Sequence, residues 1–593
     1  MSRLKDMGLD VTTFFNGRPA FMAGVLDTMG VPQAFEQAHA EHREAGRMPD
    51  ISYGVLAKLL LINICDQHHP LYRMWEYFKD KDLELLAGSP VELDQLHDDR
   101  FGDFLDQFAL WEPRKVFSTI ASQVFVQYGL SIRSLNYDTT SKVMWGEYED
   151  PEGKVGMISI TLGHSKAKRG DKNQLKIGLG VADGVILDAN VLSGNMDDKT
   201  YNNRTVDEVD LLLKRHGVDR SDFYYVSDSA FFTEDNLRKA NQAEIFFITR
   251  VPDNVNKVDE FIAEAWIQEE KGAQQRDQKP AQTSAGMEQD QDKLKPGFRD
   301  TTFGNAHGKE VAYRVQDFTG EYRGQMYQFA VCFSESLEDS KRKTTTKHVA
   351  QEQEALAKLA KRYNKRTFAC EADAVKEIAA LQEKPLAKVL FHAIEFTVQS
   401  EEKKRRGRPK KDAQEQDKEY FYRLEWRITL NQEAVERIIK YRSTFVLATN
   451  DKRLRAEQIL AEYKTQSSVE KKFQQLKSPH FVNSLYLKRP ERIEALVYMI
   501  LIAMMVLSVV ERVVRREMQA QQQIVIGPGK VTQTRPSLRV ILEIFGYLPV
   551  NRVVYQGTVS RELVEDMNPS QQLILDHLRL PPSMFTYTKT SVD

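Results

Sequence analysis

Cysteine is scarce in this sequence, and its scarcity excludes one class of protein. The 593 residues include three cysteines. Because Cys65, Cys332 and Cys370 are far apart and odd in number, they imply no disulfide framework and fit a reducing compartment. Cys65 lies near His68 and His69. Tetrahedral zinc needs a second ligand pair, and none follows at metal-binding spacing, so we expect structural roles here.

The sequence also lacks an apolar run of membrane-spanning length. The run at residues 495–510 reads ALVYMILIAMMVLSVV. It is shorter than the roughly 20 residues that a bilayer span needs, and charged residues bracket it closely. Residues 1–10 are polar and charged, so we expect no signal peptide. The pattern predicts a buried core helix and no membrane partner.

A basic excess is missing as well, because the formal net charge is −2. Chains that bind nucleic acids usually carry a positive excess. The average hides two basic clusters, KKRRGRPKK at residues 403–411 and GHSKAKRGDK at residues 163–172. The hydrophobic content of 41% supports large buried cores. At this length we expect more than one domain, since single cores rarely exceed about 250–300 residues.

The spacing of apolar residues changes along the chain. Residues 1–130 show helical spacing of apolar residues without strand-like alternation. Strand candidates follow at residues 135–145, 156–163, 174–182 and 185–193. A helix, a strand, a helix with Thr233 as its N-cap candidate, and a further strand at 244–251 come next. This order predicts an α/β domain with a mixed central sheet.

The α/β pattern is then interrupted. Residues 267–298 carry almost no large apolar side chains, which is typical of a disordered loop. Two strand candidates, 390–399 and 420–430, flank the first basic cluster, and the buried-strand pattern resumes at Ser443. The predicted domains are a helical N-terminal domain at 1–130, a first core part at 131–254, a β-containing insertion at 255–440, a second core part at 441–518 and a helical C-terminal domain at 519–593.

Three acidic residues stand where metal ligands are expected. Asp138 lies within a strand-like run, Asp228 ends another, and Glu470 lies on a predicted helix. Phosphodiester cleavage by two divalent ions needs carboxylates that hold the ions about 4 Å apart. Strand ends and packed helices fix the positions of such ligands. Taken singly, each acid is better explained by solvation or by helix capping, so their surroundings matter.

The surroundings resemble a known enzyme family. Four residues are separated by three, four and seven positions: Tyr463, Gln466, Glu470 and Lys477. This spacing resembles the Tyr-Arg-Glu-Lys signature of a branch of bacterial insertion-sequence DDE transposases. The segments DTT, GHSKAKRGDKNQLKIGL, LSGNMDDKT, VSDSAFFTEDNL and STFVLATND are similar to that branch, in its order. The resemblance covers roughly residues 90–590 and is strongest in the catalytic core.

The resemblance implies an α/β protein with an RNase H-like core, interrupted by an insertion between the second Asp and the Glu. It implies a transposase that cuts transposon ends and joins them to target DNA, with Asp138, Asp228 and Glu470 as catalytic residues that bind two Mg²⁺ ions, for which Mn²⁺ can substitute. The implied partners are double-stranded DNA, as terminal inverted repeats and target, and a second copy in a synaptic homodimer. A cytoplasmic, nucleoid-associated location in bacteria is expected.

One signature position differs, since Gln466 stands where the family has Arg. Arg grips phosphate through a bidentate, charged contact, whereas Gln offers neutral hydrogen bonds only. Tyr463, Gln466 and Lys477 stay candidate DNA contacts, because on a helix their spacing places them on the face of Glu470. An amphipathic core helix with solvated ends is the alternative.

The two basic clusters are further candidate DNA contacts. Arg406-Gly407-Arg408-Pro409 matches the core of an AT-hook, whose two arginines enter the narrow minor groove of A·T-rich DNA. The flanking basic residues that would neutralise phosphates are Lys403, Lys404, Arg405, Lys410 and Lys411. In the second cluster the candidates for holding phosphates are Lys166, Lys168 and Arg169. A solvated basic loop is the alternative for both clusters.

Two other functions fit the same residues: a metal-dependent DNA nuclease, and a non-catalytic DNA-binding remnant of a mobile element. Joining of cut ends to target DNA separates a transposase from a nuclease. Metal-dependent nicking that is lost in Asp138→Asn separates an enzyme from a binder. The presence of all three carboxylates argues against a decayed element.

Overall fold

The computed structural model describes residues 9–43, 49–146, 148, 158–165, 169–277, 297–304, 310–403, 419–478 and 487–586. The chain divides into two compact units. Unit 1 comprises Met1–Thr249, Thr449–Asp451 and Glu462–Asp593. Unit 2 comprises Arg250–Ala448 and Lys452–Ala461.

A mixed sheet forms the centre of unit 1. Its strands are β2 (Ser134–Val143), β3 (Gln174–Ala182), β4 (Val185–Ser193), β5 (Tyr224–Ser227) and β6 (Phe246–Arg250), in the spatial order β4-β3-β2-β5-β6. The pairs β2/β3 and β3/β4 are antiparallel, whereas β2/β5 and β5/β6 are parallel. Every residue of β3 and β5 is buried, so both faces of the sheet are covered.

Helices make up most of the first 130 residues, as predicted. They are α1 (Gly17–Thr28), α2 (Val31–His42), α3 (Tyr53–Asp66), α4 (Met74–Phe78), α5 (Leu83–Ala87), α6 (Asp98–Leu110) and α7 (Pro113–Tyr128). Two more helices accompany the sheet, α8 (Asp198–His216) and α9 (Glu234–Gln242). Thr233 is the N-cap of α9, since its side chain accepts a hydrogen bond from the backbone N–H of Asn236 at 3.3 Å. This confirms the predicted cap.

The last part of unit 1 carries the apolar run. Its helices are α14 (Ala456–Lys464), which begins in unit 2, α15 (Ser467–Leu476), α16 (Pro490–Ala520), α17 (Leu538–Ile544) and α18 (Pro569–Leu578). By length and composition α16 is apolar enough to cross a membrane, but 94% of its most apolar 18-residue window is buried inside the fold. It contacts α3, α6, α7 and β4. The prediction of a buried core helix is confirmed.

The two ends of the described chain share a small sheet that the sequence pattern did not indicate. β1 (Leu9–Phe15) pairs with β15 (Pro549–Tyr555), which pairs with β16 (Thr558–Leu563). A two-residue pair, β13 (Val525–Ile526) with β14 (Thr532–Gln533), lies in the same segment. The expectation of helices alone at 519–593 is therefore wrong. These strands are short, and β1 pairs with β15 about 540 residues away in the chain.

Unit 2 is also mixed. Its strands β7 (Arg299–Gly304), β8 (Glu310–Tyr322), β9 (Gln325–Ser334) and β12 (Thr444–Thr449) follow the order β12-β9-β8-β7. Strands β10 (His392–Glu402) and β11 (Tyr420–Leu430) form a separate antiparallel hairpin. Its helices are α10 (Asn256–Asp277), α11 (Glu335–Tyr363), α12 (Glu371–Glu383) and α13 (Gln432–Arg442).

Two local predictions are wrong. Residues 267–277 belong to α10 rather than to a disordered loop, because a lack of large apolar residues excludes a packed core but not a solvated helix of strong helix formers. Residues 278–296 lie outside the described residues. Within the described part of 156–163, only Thr161 forms a bridge, with Gln174. Ser159 instead bonds to the chain around Ser193, so no continuous ladder develops.

Candidate active site

Strand pairing brings two of the three carboxylates together. β2 and β5 are parallel neighbours, and their register pairs Tyr137 with Ser227. Asp138 and Asp228 each follow by one residue, and Asp228 keeps an extended backbone just past the strand. Adjacent strands lie about 4.8 Å apart, and residues in register point to the same face. Both carboxylates therefore belong to one face at the carboxyl end of β5.

The face can be identified from contacts of neighbouring residues. Thr465, just before α15, donates a hydrogen bond from its hydroxyl to Asn136 Oδ1 at 2.9 Å. Asn136 is two residues before Asp138, so alternation along β2 puts both side chains on the face that α15 covers. Farther along, Leu476 and Lys477 line a small crevice together with residues 140–142 of β2. Helix α15 therefore runs along β2 in the same direction.

Glu470 lies on this helix at the level of Asp138. From Thr465 to Glu470 a helix advances about 7 Å, and two residues of strand from Asn136 to Asp138 also span about 7 Å. Val469 and Phe473 are buried on either side of Glu470, whereas Glu470 itself is exposed at the rim of the buried stripe. The helix is thus packed onto the sheet with this carboxylate directed outside the core.

Hydrogen bonds hold the two aspartates in different ways. Asp138 Oδ1 accepts from the backbone N–H of Thr139 at 2.7 Å, and Asp228 Oδ1 accepts from that of Ala230 at 3.0 Å. The hydroxyl of Thr249 donates to the Asp228 carbonyl at 2.6 Å. Within the described part of the chain, no side chain donates to the Glu470 carboxylate. An ionised carboxylate has about four lone-pair sites on its two oxygens, so one hydrogen bond does not by itself prevent it from binding a cation.

A polar network on the opposite face anchors β2. The Tyr137 hydroxyl donates to Asp188 Oδ2 at 3.0 Å, and its ring stacks on Tyr225 at a centroid distance of 5.1 Å. Burial raises the pKa of Tyr137, which keeps the hydroxyl protonated as a donor. Thr139 donates to Asp198 Oδ1 at 2.8 Å. Asp138 thus lies between two residues whose side chains are fixed, which limits its freedom of position.

The three carboxylates are oxygen donors of the kind that bind divalent cations. Among the described His, Cys, Asp and Glu residues, the set whose ligand atoms lie within 4.8 Å of one another is exposed and lies elsewhere: His97, Asp98 and Asp99. All-oxygen carboxylate ligands are those that Mg²⁺ and Mn²⁺ prefer. The donor chemistry of Asp138, Asp228 and Glu470 therefore fits such ions.

The predicted single helical face is not observed. Tyr463 lies in α14 and Glu470 in α15, because the chain turns at Thr465 and Gln466. The Thr465 hydroxyl lies 2.6 Å from the Glu462 carbonyl and 2.9 Å from Asn136 Oδ1, and its single proton is shared between these two acceptors, which favours a turn over a continuous helix. Gln466 is buried, and Lys477 is the exposed C-cap of α15. The buried Gln466 side chain is a structural residue rather than an exposed phosphate contact.

Few of the predicted basic contacts lie in the described chain. Lys166, Lys168, Lys404, Arg405, Arg406, Arg408, Lys410 and Lys411 lie outside the described residues. Arg169 forms an ion pair with Asp171 at 2.8 Å, and Lys403 one with Glu419 at 3.1 Å. Both Arg169 and Lys172 approach the exposed ring of Trp145, at 5.1 and 5.2 Å. Trp145 was not among the predicted contacts, although a bulky aromatic close to a basic cluster is visible in the sequence.

Comparisons with known proteins give limited matches. A family described as a domain of unknown function (DUF4277) matches residues 19–122. No curated protein matches the chain in sequence. The chain is similar in structure to the piggyBac transposase in a synaptic complex with hairpin DNA, at 11% identity and a TM-score of 0.34, covering 89% of this chain and 80% of that one. It is also similar to the Mos1 transposase in a paired-end complex with the left transposon end, at 10% identity and a TM-score of 0.13, covering 34% and 59%.

Proposed function

We propose that the chain is a DDE transposase of the bacterial insertion-sequence type, which cleaves DNA at transposon ends and joins the ends to target DNA. The observation that carries the proposal is the parallel register of β2 and β5, which aligns Asp138 with Asp228 on the face packed by α15. Two acids that are 90 residues apart in the sequence meet there. Metal ligation explains their proximity, since two adjacent carboxylates otherwise repel each other.

In this proposal Asp138, Asp228 and Glu470 hold two Mg²⁺ or Mn²⁺ ions. When bound, such ions supply an activated nucleophile and stabilise the leaving oxygen of a phosphodiester. Asp138 is the most constrained ligand, because β2 is anchored on both faces. Glu470 comes from an exposed helix rim, where a DNA strand can approach the ions. The expected partners are transposon ends, target DNA and a second copy of the chain that pairs the two ends.

The proposal is tested by cleavage and joining in vitro. Duplexes that carry the DNA from each side of the chain's own reading frame should be cut in the presence of Mg²⁺ or Mn²⁺ and left intact in EDTA. Joined products with an unrelated plasmid should accumulate, because the freed 3′-hydroxyl attacks a second phosphodiester at the same site. Cleavage without joining would favour the nuclease alternative. Binding without cleavage in either metal would favour the non-catalytic one.

The basic run at 403–411 is expected to read A·T-rich DNA. Strands β10 and β11 are paired from His392–Leu430 to Glu402–Tyr420, and Lys403 N–H donates to the Glu419 carbonyl at 2.8 Å. This ladder, roughly 35 Å long at 3.3 Å per residue, leads directly to the run. Arginines inserted in a narrow minor groove read groove width and potential, which are strongest in A·T tracts.

We therefore expect Arg406→Ala with Arg408→Ala to weaken DNA binding more on A·T-rich than on G·C-rich duplexes. The slope of log affinity against log salt should fall by about two counterions. Competition binding with matched duplexes at two salt concentrations measures both effects. The control is Lys358→Ala with Lys361→Ala, two exposed cations of α11 in the same unit. An equal loss on both duplexes would reduce the run to a general phosphate-binding patch.

A further inference from the structure

A polar cleft of about 860 Å³ lies beside the candidate active site in unit 1. It is bounded by the start of β2, the turn between β3 and β4, helix α15, the second half of α16, and residues 534–535. Asn136 and Thr465, which join β2 to α15, form part of its wall. Asp138, Asp228 and Glu470 do not line it. The volume lies within the range of about 300–1,000 Å³ typical of small-ligand sites.

The cleft carries a marked positive excess. Six cationic side chains line it, against two carboxylates, Asp183 and Glu511. The cations are Arg133, Lys471, Lys472, Arg512, Arg515 and Arg535. The two carboxylates are already paired, Asp183 with Arg512 at 2.5 Å and Glu511 with Arg515 at 2.8 Å. Arg133 pairs with Glu462 at 3.3 Å. Within the described chain, Lys471 and Arg535 form no ion pair.

Lys472 is the buried cation of the cleft. It is the sixth of the ten residues of α15, the other buried residues of that helix are apolar, and only 8% of Lys472 is exposed. Its ammonium donates to Ser508 Oγ at 2.7 Å. Burial lowers the pKa of Lys472 to about 8, because Glu511, the acid that raises it, does not offset the desolvation. An ammonium has three donors, so an anion in the cleft would gain a charged partner already freed of water.

Three polar atoms of the same cleft are buried without any hydrogen-bond partner. They are Ser468 Oγ, Arg512 Nε and Gln523 Oε1. Buried polar groups nearly always form a hydrogen bond, so three buried atoms without one in the lining of a single cleft indicate that a binding partner belongs there. Two of the three can donate, which matches phosphate oxygens. The third accepts, which matches a hydroxyl or amino group carried by the same ligand.

From these observations we infer that the cleft binds the phosphate of a nucleotide, with Lys472, Lys471 and Arg512 as its main cationic contacts. A nucleotide combines anionic oxygens with the hydroxyl or amino donor that Gln523 requires. The source is either a nucleotide within a DNA strand or a free nucleotide. The inference rests on the cleft alone and does not depend on cleavage at the carboxylates.

Binding is tested on the full chain in EDTA, so that phosphate cannot bind through metal ions. Inorganic pyrophosphate is the first probe, and adenosine monophosphate and a short single-stranded oligonucleotide are the others. Pyrophosphate should raise the melting temperature in proportion to ln(1 + [L]/Kd). Lys471→Ala with Arg535→Ala, two exposed cations without ion pairs in the described chain, should weaken binding by at least about tenfold.

Lys472→Met provides the second variant. Methionine has a side chain of similar length. The Lys472 charge is buried and poorly compensated by nearby acids, so removing it should not destabilise the fold. The variant should therefore melt at or above the wild-type temperature and bind pyrophosphate at least about tenfold more weakly. The control is Lys79→Ala with Lys214→Ala, two exposed cations of unit 1 outside the cleft.

The outcomes distinguish a DNA strand from a free nucleotide as the occupant of the cleft, and they test the cleft separately from the cleavage proposal. Competition between pyrophosphate and the oligonucleotide would identify a DNA strand as the occupant, whereas competition by adenosine monophosphate alone would identify a free nucleotide. Equal affinity in wild type, Lys472→Met and the control would overturn the inference, as would a lack of pyrophosphate binding by the wild type. Asp138→Asn should bind pyrophosphate normally, so that a failed cleavage proposal and a failed cleft are told apart.

Discussion

Asp138→Asn, Asp228→Asn and Glu470→Gln are each expected to lower Mg²⁺-dependent DNA cleavage by at least about 10³-fold, while binding to DNA ends stays within a few-fold of wild type. A metal ion contributes several kcal/mol of charge stabilisation in the transition state, and each 1.36 kcal/mol is worth a factor of ten in rate. An amide keeps the shape of the side chain and removes the charge that holds the ions. End recognition should depend on other surfaces, so binding survives.

The measurement is single-turnover cleavage of an end duplex, alongside a binding assay of the same duplex. Asp235→Asn is the matched control, because Asp235 lies seven residues after Asp228 and makes an exposed ion pair with Arg238. It removes the same charge from the same unit and should cleave normally. Near-normal cleavage by any one of the three variants would remove that residue from the proposed site.

Arg561→Met is expected to destabilise unit 1 by about 3–5 kcal/mol, because it leaves the buried carboxylate of Asp82 without its positively charged partner. The Arg561 guanidinium donates to both Asp82 oxygens, at 2.6 and 3.0 Å, and the two side chains are 2% and 3% exposed. A further bond, at 3.0 Å, goes to Glu84. This pair joins the helical N-terminal region to β16 near the other end of the chain.

Urea denaturation followed by tryptophan fluorescence measures the effect. Asp82→Leu combined with Arg561→Met should recover much of the loss, since a buried apolar pair carries no unpaired charge. Arg539→Met is the control. Its ion pair with Glu543 lies on a helix surface with the arginine side chain 86% exposed, and its removal should change stability by less than about 0.5 kcal/mol. A loss in Arg561→Met no larger than in Arg539→Met would show that the buried pair is dispensable.

Local periodicity predicted much of the secondary structure. The stripe Val206, Val209 and Leu213 is buried on α8, and the flanks of the basic run form the paired strands β10 and β11. Prediction failed where pairing depends on distant chain. β1 finds its partner at β15, whereas the described residues 158–163 form a single bridge, at Thr161, although the alternation in 156–163 resembles a strand. A strand exists only where another backbone satisfies its hydrogen bonds, and a sequence window does not contain that partner.

For the candidate site, too, some features could be predicted from the local sequence and others depended on distant parts of the chain. The sequence by itself determined which acids end or interrupt apolar strands, since Asp138 and Asp228 stand out within runs of buried residues. Only the tertiary structure decided that β2 and β5 are parallel neighbours in a register that aligns these acids, and that the chain turns at Thr465. It alone assembled the cationic cleft from five separate segments. Periodicity is a local property of the chain. Strand register, the turn at Thr465 and the cleft instead depend on packing and hydrogen bonds between segments that are far apart in the sequence.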